Sequence, residues 1–128
     1  MILADTSVVL EIIRSRDAKL VALAGPLPIA TCGPVRAEIL TGARGPADRA
    51  RLLGYLNSYQ RLTLDEPHWD LISDYRSAME QQGYCLSLAD AAIGSLALIY
   101  NIELWSRDCA HRLMAQIFPA LRLFVEPP

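Results

Sequence analysis

Lysine, cysteine and long apolar runs are scarce in this sequence. Its 128 residues include one lysine, Lys19, so a mechanism that needs a catalytic lysine has one candidate. The three cysteines, Cys32, Cys85 and Cys109, form no close pair, which excludes a disulfide framework and favours a reducing compartment. The longest uncharged stretch, residues 20–35, contains three prolines. A membrane-spanning helix needs about 20 apolar residues without such breaks, so we expect no membrane segment.

Charge of neither sign dominates the chain. The chain has twelve basic and fourteen acidic residues. The resulting net charge of −2 excludes a protein that coats nucleic acid through bulk positive charge. With 52% hydrophobic and 20% charged residues, intrinsic disorder is excluded as well. The opening residues MILADTS carry an acid and no basic segment, so we expect no secretory signal and a cytoplasmic protein. The length predicts a single domain over residues 1–128.

Short apolar runs alternate with segments of helical periodicity. The runs predict strands at residues 1–4, 28–31, 102–105 and 121–125, and a strand or connection at 61–64. The periodic segments predict helices at about 7–13, 17–24, 33–40, 46–59, 65–82, 87–100 and 107–116. Ser7 is the expected cap of the first helix, and the helix at 87–100 is apolar nearly all round and should be buried. The alternation predicts an α/β sandwich with a mostly parallel central sheet flanked by helices.

Four acidic residues fall at one edge of that predicted sheet. They are Asp5, Glu38, Asp90 and Asp108. Asp5 ends the first strand and Asp108 lies three residues past the strand at 102–105, whereas Glu38 lies one turn into the helix at 33–40 and Asp90 in the first turn of the buried helix. Ligands of open parallel sheets bind outside the carboxyl ends of the strands, and all four acids map to that edge. The remaining ten acids fall on helix faces, loops or the tail, where solvation accounts for them.

Each acid also has a structural explanation. Asp90 can form a capping box with Ser87, and Asp108 can cap the last helix. Glu38 can be a solvated helix residue. Asp5 ends an apolar strand and is the hardest of the four to explain in this way, because Ser7 is already available as a cap.

Carboxylates gathered at one edge need a counter-ion. Two of them ~4 Å apart repel by about 4 kcal/mol at an effective dielectric constant of about 20. A hard divalent ion such as Mg²⁺ or Mn²⁺ would relieve this repulsion, with Asp5 and Asp90 as principal ligands and with Glu38 and Asp108 directly or through water. Such a site polarises a phosphoryl oxygen and activates water, which indicates a metal-dependent phosphodiesterase. The expected supporting hydroxyls are those of Thr6, Ser7 and Ser106.

The segments around these acids resemble the motifs of PIN-domain ribonucleases, specifically VapC-type toxins of toxin–antitoxin pairs. The matching segments are MILADTSVV with Asp5, VRAEILTGA with Glu38, LSLADAAIGSLAL with Asp90 and LWSRD with Ser106 and Asp108. The resemblance covers essentially the whole chain. It implies a catalytic role for the four acids, Mg²⁺ or Mn²⁺, RNA cleavage, a homodimer and inhibition by a cognate antitoxin.

One segment departs from the family pattern. The family often follows the fourth acid with another acid and a phenylalanine, whereas this chain has Cys109-Ala110-His111-Arg112. The departure puts a second metal position in doubt. His111 could partly substitute for the missing acid, or it could be a packing or surface residue.

Other functions remain open on the residues alone. A phosphotransfer domain needs a lysine beyond a late strand, and Lys19 lies elsewhere in the chain. A haloacid-dehalogenase-type phosphatase needs an acid at the position of Ser7. A cysteine hydrolase could combine Cys32 with His68 or His111, although a small buried hydrophobic residue is the favoured explanation of Cys32. A PIN-fold binding module with weak or no catalysis is the alternative outside the enzymes.

Candidate contacts to RNA are guanidinium groups and aromatic rings. The arginines considered are Arg14, Arg16, Arg36, Arg44 and Arg107, and the rings are those of Trp105 and Tyr84. Guanidinium groups pair well with phosphate, and exposed rings stack on bases. Solvated surface is the favoured interpretation of each arginine, and core packing is the favoured interpretation of the rings.

Overall fold

A computed structural model describes residues 1–14 and 17–128 of the chain. Within them, four strands form one parallel sheet in the order β3-β2-β1-β4. The strands are β1 (Ile2–Ala4), β2 (Ile29–Cys32), β3 (Gln60–Leu62) and β4 (Glu103–Trp105). The helices are α1 (Thr6–Arg14), α2 (Ala18–Ala24), α3 (Gly33–Thr41), α4 (Pro46–Ser58), α5 (Glu66–Gln81), α6 (Leu88–Tyr100) and α7 (Cys109–Ile117). The predicted α/β sandwich with a parallel central sheet is confirmed.

The register between β1 and β4 places their carboxyl ends side by side. Ala4 pairs with Trp105, and the N–H of Asp5 donates to the carbonyl of Trp105 at 2.9 Å. The residues that follow the two strands, Asp5 and Ser106, therefore leave the sheet next to each other. Their proximity follows from backbone pairing, although a hundred residues separate them in sequence.

The predicted strand at 121–125 is wrong as a strand. This segment forms one isolated parallel bridge, Leu104 with Leu123, supported by two backbone hydrogen bonds of 2.9 and 2.8 Å to Leu104. Successive residues of a strand direct their N–H and C=O groups to opposite sides. Because β4 has three residues and its ends face β1, its middle residue alone is available to the outer edge, and the ladder stops there.

Ser7 does not cap the first helix as expected. Helix α1 begins at Thr6, so Ser7 lies inside its first turn. The carboxylate of Asp5 accepts the N–H of Thr6 at 2.7 Å, and the carbonyl of Asp5 accepts the N–H of Val9 at 3.0 Å. Asp5 thus ends the strand and begins the helix, because the turn between the two elements is a single residue long.

Helix α6 is the buried centre of the helical layer, as its composition predicted. Every residue from Ala91 to Ala97 is buried. Helix α7 approaches it closely at Gly94, where an added Cβ atom would lie 2.4 Å from Sδ of Met114 and 3.4 Å from Cδ2 of His111. The missing side chain therefore sets the distance between the two helices. None of the helices in the described part of the chain combines the length and apolar composition needed to cross a bilayer.

We expect Gly94→Ala to destabilise the fold through its contact with Met114. Overpacking a core costs about 1–3 kcal/mol, and alanine's better helix propensity returns about 1 kcal/mol, so the net loss should be at most about 2 kcal/mol. Met114→Val removes the Sδ and Cε atoms, and in that background Gly94→Ala should be neutral or stabilising. Urea unfolding of the four proteins measures this coupling. An equal effect of Gly94→Ala in both backgrounds would contradict the packing explanation.

Candidate metal centre

Asp5 lies at the centre of the site and is almost fully buried. It is 4% exposed and follows β1, the strand between β2 and β4. One carboxylate oxygen accepts the N–H of Thr6, and the other accepts the hydroxyl of Ser106 at 3.0 Å. A buried carboxylate is costly unless hydrogen bonds or charges compensate it, and these two donors provide part of that compensation.

Asp90 and His111 complete a compact group with Asp5. Each of the three residues offers one ligand atom, and these atoms lie within 4.8 Å of one another. Asp90 stands half-buried in the first turn of α6, whose start is fixed by Ser87 accepting the N–H of Asp90 at 3.1 Å. Among the described residues, no third carboxylate joins this group. The arrangement could hold a divalent ion.

Glu38 lies outside the group but is connected to it through Thr6. It is an exposed residue of α3, and its carboxylate accepts the Thr6 hydroxyl at 2.6 Å. Thr6 therefore donates its N–H to Asp5 and its hydroxyl to Glu38. This places Thr6 between two of the four acids that the sequence pointed to.

Asp108 also lies outside the group and caps helix α7. One oxygen of its carboxylate accepts the N–H of Ala110 at 2.9 Å, and its own N–H donates to Oγ of Ser106 at 3.1 Å. The side chain is exposed. The cap that was an alternative for Asp108 is therefore present, and Asp108 reaches the group through Ser106.

His111 is the residue that sequence reasoning left undecided. It is fully buried, with Nδ1 2.6 Å from Oγ of Ser106 and Nε2 3.0 Å from the backbone carbonyl oxygen of Asp90. Its Nδ1 also lies 3.5 Å from Oδ2 of Asp5. The signal in the sequence was its position three residues after Asp108, where the family motif often has an acid, together with its place one turn before the buried Met114.

The hydrogen bonds around Ser106 favour a protonated imidazole. A carboxylate only accepts, so the Ser106 hydroxyl donates its single proton to Asp5. Nδ1 of His111 must then donate to Oγ of Ser106, while Nε2 donates to the carbonyl of Asp90. Both ring nitrogens carry a proton in this arrangement.

Asp5 and His111 shift each other's pKa in opposite directions. Burial lowers the pKa of His111, but its hydrogen bond to Asp5, the charge of Asp5 and the bond to Asp90 together raise the pKa above its ordinary value. Burial likewise raises the pKa of Asp5, and the hydrogen bond and charge of His111, with the bonds from Thr6 and Ser106, lower it below its ordinary value. These opposite shifts widen the pH range over which the two side chains carry opposite charges.

Two other predicted groups have no role in a reaction. Cys32 is buried, and burial together with the charges of Asp5 and Glu38, opposed by a backbone hydrogen bond at Val35, raises its thiol pKa to about 11. This argues against a cysteine nucleophile. Trp105 is 1% exposed, which confirms core packing as the favoured interpretation and excludes base stacking. It ends β4, and its ring packs against Phe124 with centroids 4.8 Å apart.

Some of the proposed RNA contacts are engaged in ion pairs. Arg14 lies 3.0 Å from Asp48, and Arg107 lies 2.6 Å from Glu126. Arg16 falls outside the described residues. Arg36, Arg44 and Tyr84 remain candidates for contacts to RNA, and Tyr84 is 38% exposed.

We expect the stability of the metal-free protein to fall as the pH rises through the raised pKa of His111. A histidine whose folded pKa is raised stabilises the fold fully below its unfolded pKa of 6.5, and that contribution is lost as the pH rises through the folded value. Asp5 acts in the acidic range. Its contribution to the stability of the fold is lost as the pH falls through its folded pKa, which lies below 3.8. Urea unfolding in EDTA between about pH 6 and about pH 9 measures the first effect.

His111→Asn should remove this pH dependence, and His68→Asn, which changes the other histidine of the chain, should preserve it. A wild-type profile that is flat above pH 6.5, or one that His111→Asn leaves unchanged, would contradict the assignment.

Solved structures with this fold include complexes of small bacterial proteins. The chain superposes on VapBC2 from Rickettsia felis, bound to a DNA fragment from their promoter, with a TM-score of 0.76 and 21% identity over 97% of this chain and 98% of that one. VapBC-1 from nontypeable Haemophilus influenzae superposes with a TM-score of 0.75 and 17% identity over 97% of each chain. A toxin–antitoxin complex from Klebsiella pneumoniae superposes with a TM-score of 0.67 and 24% identity over 94% of this chain and 95% of that one. At these identities the likeness establishes the fold.

Sequence comparison identifies the family. No curated protein matches the chain. The profile of the PIN domain matches residues 2–116, which span every strand of the sheet and the whole candidate metal centre. This match covers most of the chain, and the chain therefore belongs to the PIN-domain family.

Proposed function

We propose that this protein is a metal-dependent endoribonuclease and the toxin of a toxin–antitoxin pair, acting in the cytoplasm. The observation that carries the proposal is the placement of Asp5 and Asp90 within 4.8 Å of each other at the carboxyl edge of a parallel sheet in a PIN-domain chain. The resemblance of the four acidic motifs to VapC-type toxins supports the substrate and the biological role.

The donor set suits Mg²⁺ or Mn²⁺. These ions take oxygen ligands, and Mg²⁺ is usually held by one or two carboxylates, with water completing its coordination. Asp5 and Asp90 would be the principal ligands, and Glu38 and Asp108 would contribute directly or through water. When bound, the ion would polarise a phosphoryl oxygen and lower the pKa of a water molecule for attack.

The residues of the chain favour water over the ribose 2′-hydroxyl as nucleophile. Activating the 2′-hydroxyl requires a general base within reach. Of the two histidines, His111 is buried with both ring nitrogens hydrogen-bonded, and His68 accepts the N–H of Asp65 at the start of α5. We therefore propose hydrolysis in line, which leaves a 5′-phosphate and a 3′-hydroxyl.

Removal of a principal ligand should weaken metal binding. We expect Asp5→Asn and Asp90→Asn to lower the affinity for Mn²⁺ by at least about tenfold, since even outer groups that orient ligands contribute about 10–100-fold. Asp70→Asn is the matched control, because it removes one negative charge from an exposed position on α5. Calorimetric titration at one pH measures the affinities. Equal affinity of Asp5→Asn and Asp70→Asn would refute the metal centre.

The products of cleavage test the reaction itself. Purified protein should cut single-stranded or loop RNA in Mg²⁺ or Mn²⁺, stop in EDTA and leave 5′-phosphate ends. Asp90→Ala should lose cleavage while staying folded by circular dichroism, whereas the exposed variant Asp70→Asn should keep it. Cyclic 2′,3′-phosphate ends, or cleavage that persists in EDTA, would refute the mechanism. Metal binding without cleavage of any RNA would instead favour a binding module.

A groove beside the acids supports an antitoxin partner. It has a volume of about 590 Å³, is mostly apolar, and is lined in part by Trp69, Leu88 and Glu38, of which Trp69 is 38% and Leu88 51% exposed. An apolar groove that has the carboxylate of Glu38 in its lining suits a segment with apolar side chains and an arginine. We propose that a cognate antitoxin binds there and that the toxin itself is a homodimer. Sedimentation as a monomer at micromolar concentration would contradict the dimer.

A further inference from the structure

The imidazole of His111 contacts both halves of the candidate metal centre. On one side, Nδ1 reaches Asp5 through Ser106, over distances of 2.6 and 3.0 Å. On the other side, Nε2 meets the carbonyl oxygen of Asp90 at 3.0 Å. A single planar ring therefore connects the end of β1 with the first turn of α6, and each of these elements carries one of the two principal acids.

Packing fixes the ring in that position. His111 is fully buried, and α7 comes close to α6 because Gly94 has no side chain. Gly94 lies one turn beyond Asp90, and a Cβ atom there would lie 3.4 Å from Cδ2 of His111. Burial and the hydrogen bonds at both ring nitrogens restrict how the ring can turn, so the connection is held at a fixed length.

Both ring nitrogens are already hydrogen-bonded, which argues against a role for His111 as a ligand. A metal ligand needs a free lone pair, and each nitrogen of His111 faces Ser106 or the Asp90 carbonyl. The contribution of the ring is then geometric. Groups that hold ligands in place in this way commonly determine metal affinity.

We propose that His111, acting through Ser106, is a positioning residue that fixes the separation of the Asp5 and Asp90 carboxylates and thereby sets the affinity of the centre for a divalent ion. The proposal rests on the metal centre proposed above. It assigns a role to the position at which this chain departs from the acidic pattern of its family. The ring functions as a spacer between two ligands.

The test is a double-mutant cycle on metal affinity. Mn²⁺ is titrated at one pH into wild type, His111→Leu, Ser106→Ala and the double variant, with free Mn²⁺ measured by electron paramagnetic resonance. Each single substitution should weaken binding about 10–100-fold. The double variant should bind no more weakly than His111→Leu, because both substitutions break the same connection.

A control separates positioning from general loss of stability. Ile72→Ala removes a buried side chain of α5, outside the metal centre, and should shift the urea midpoint of unfolding to a lower concentration with unchanged Mn²⁺ affinity. If His111→Leu does not fold, His111→Asn replaces it, since its amide can reach Ser106 but not the Asp90 carbonyl.

The outcomes distinguish this inference from the proposed function. If the His111 variants bind Mn²⁺ as tightly as wild type does, His111 has no positioning role. The proposed metal centre would be unaffected by that result. Losses that add in the double variant also overturn the positioning role, because they would mean that His111 acts independently of Ser106. Wild type that binds no Mn²⁺ overturns both proposals.

Discussion

The structure depends on how one buried negative charge is compensated. Asp5 ends a central strand with 4% of its surface exposed, and a carboxylate in such a place is stable only with donors around it. Those donors come from three parts of the chain: the Thr6 N–H at the start of α1, the Ser106 hydroxyl after β4, and His111 on α7. The same interactions that make Asp5 tolerable gather the elements that form the site.

This arrangement explains why the site has an ordered inner part and an open outer part. Asp5 and His111 are buried, Asp90 is half-buried, and Glu38 and Asp108 are exposed. The buried pair supplies fixed geometry, whereas the exposed acids lie where a substrate can approach. A cation and a phosphate could therefore enter from the solvent side without disturbing the hydrogen bonds beneath Asp5.

Much of the fold and part of the site were predictable from sequence. The alternation of short apolar runs with helical periodicity gave the parallel sheet, and the nearly all-apolar composition of α6 gave its burial. Asp5 stood out because it ends an apolar strand. Asp90 was a candidate because it is an acid in the first turn of a nearly all-apolar helix.

What was missed depends on contacts that no local pattern encodes. The segment at 121–125 has the composition of a strand, but β4 offers it one residue to pair with. Ser7 is a good cap in isolation, yet Asp5 occupies that place. His111 reaches the site because Gly94, which has no side chain, lets α7 pack closely against α6. A glycine in the sequence of α6 does not show which helix packs against it.

The separation in sequence between Asp5 and its partners has a consequence for synthesis. Asp5 leaves the ribosome before Ser106, which lies 101 positions later in the chain. At translation rates of about 5–20 residues per second, roughly 5–20 s pass before the second half of the site exists. Until β4 and α7 have emerged and docked, the nascent chain has a carboxylate without its hydroxyl and imidazole partners. The candidate metal centre therefore forms only after the segment from Asp5 to His111 has been translated and has docked.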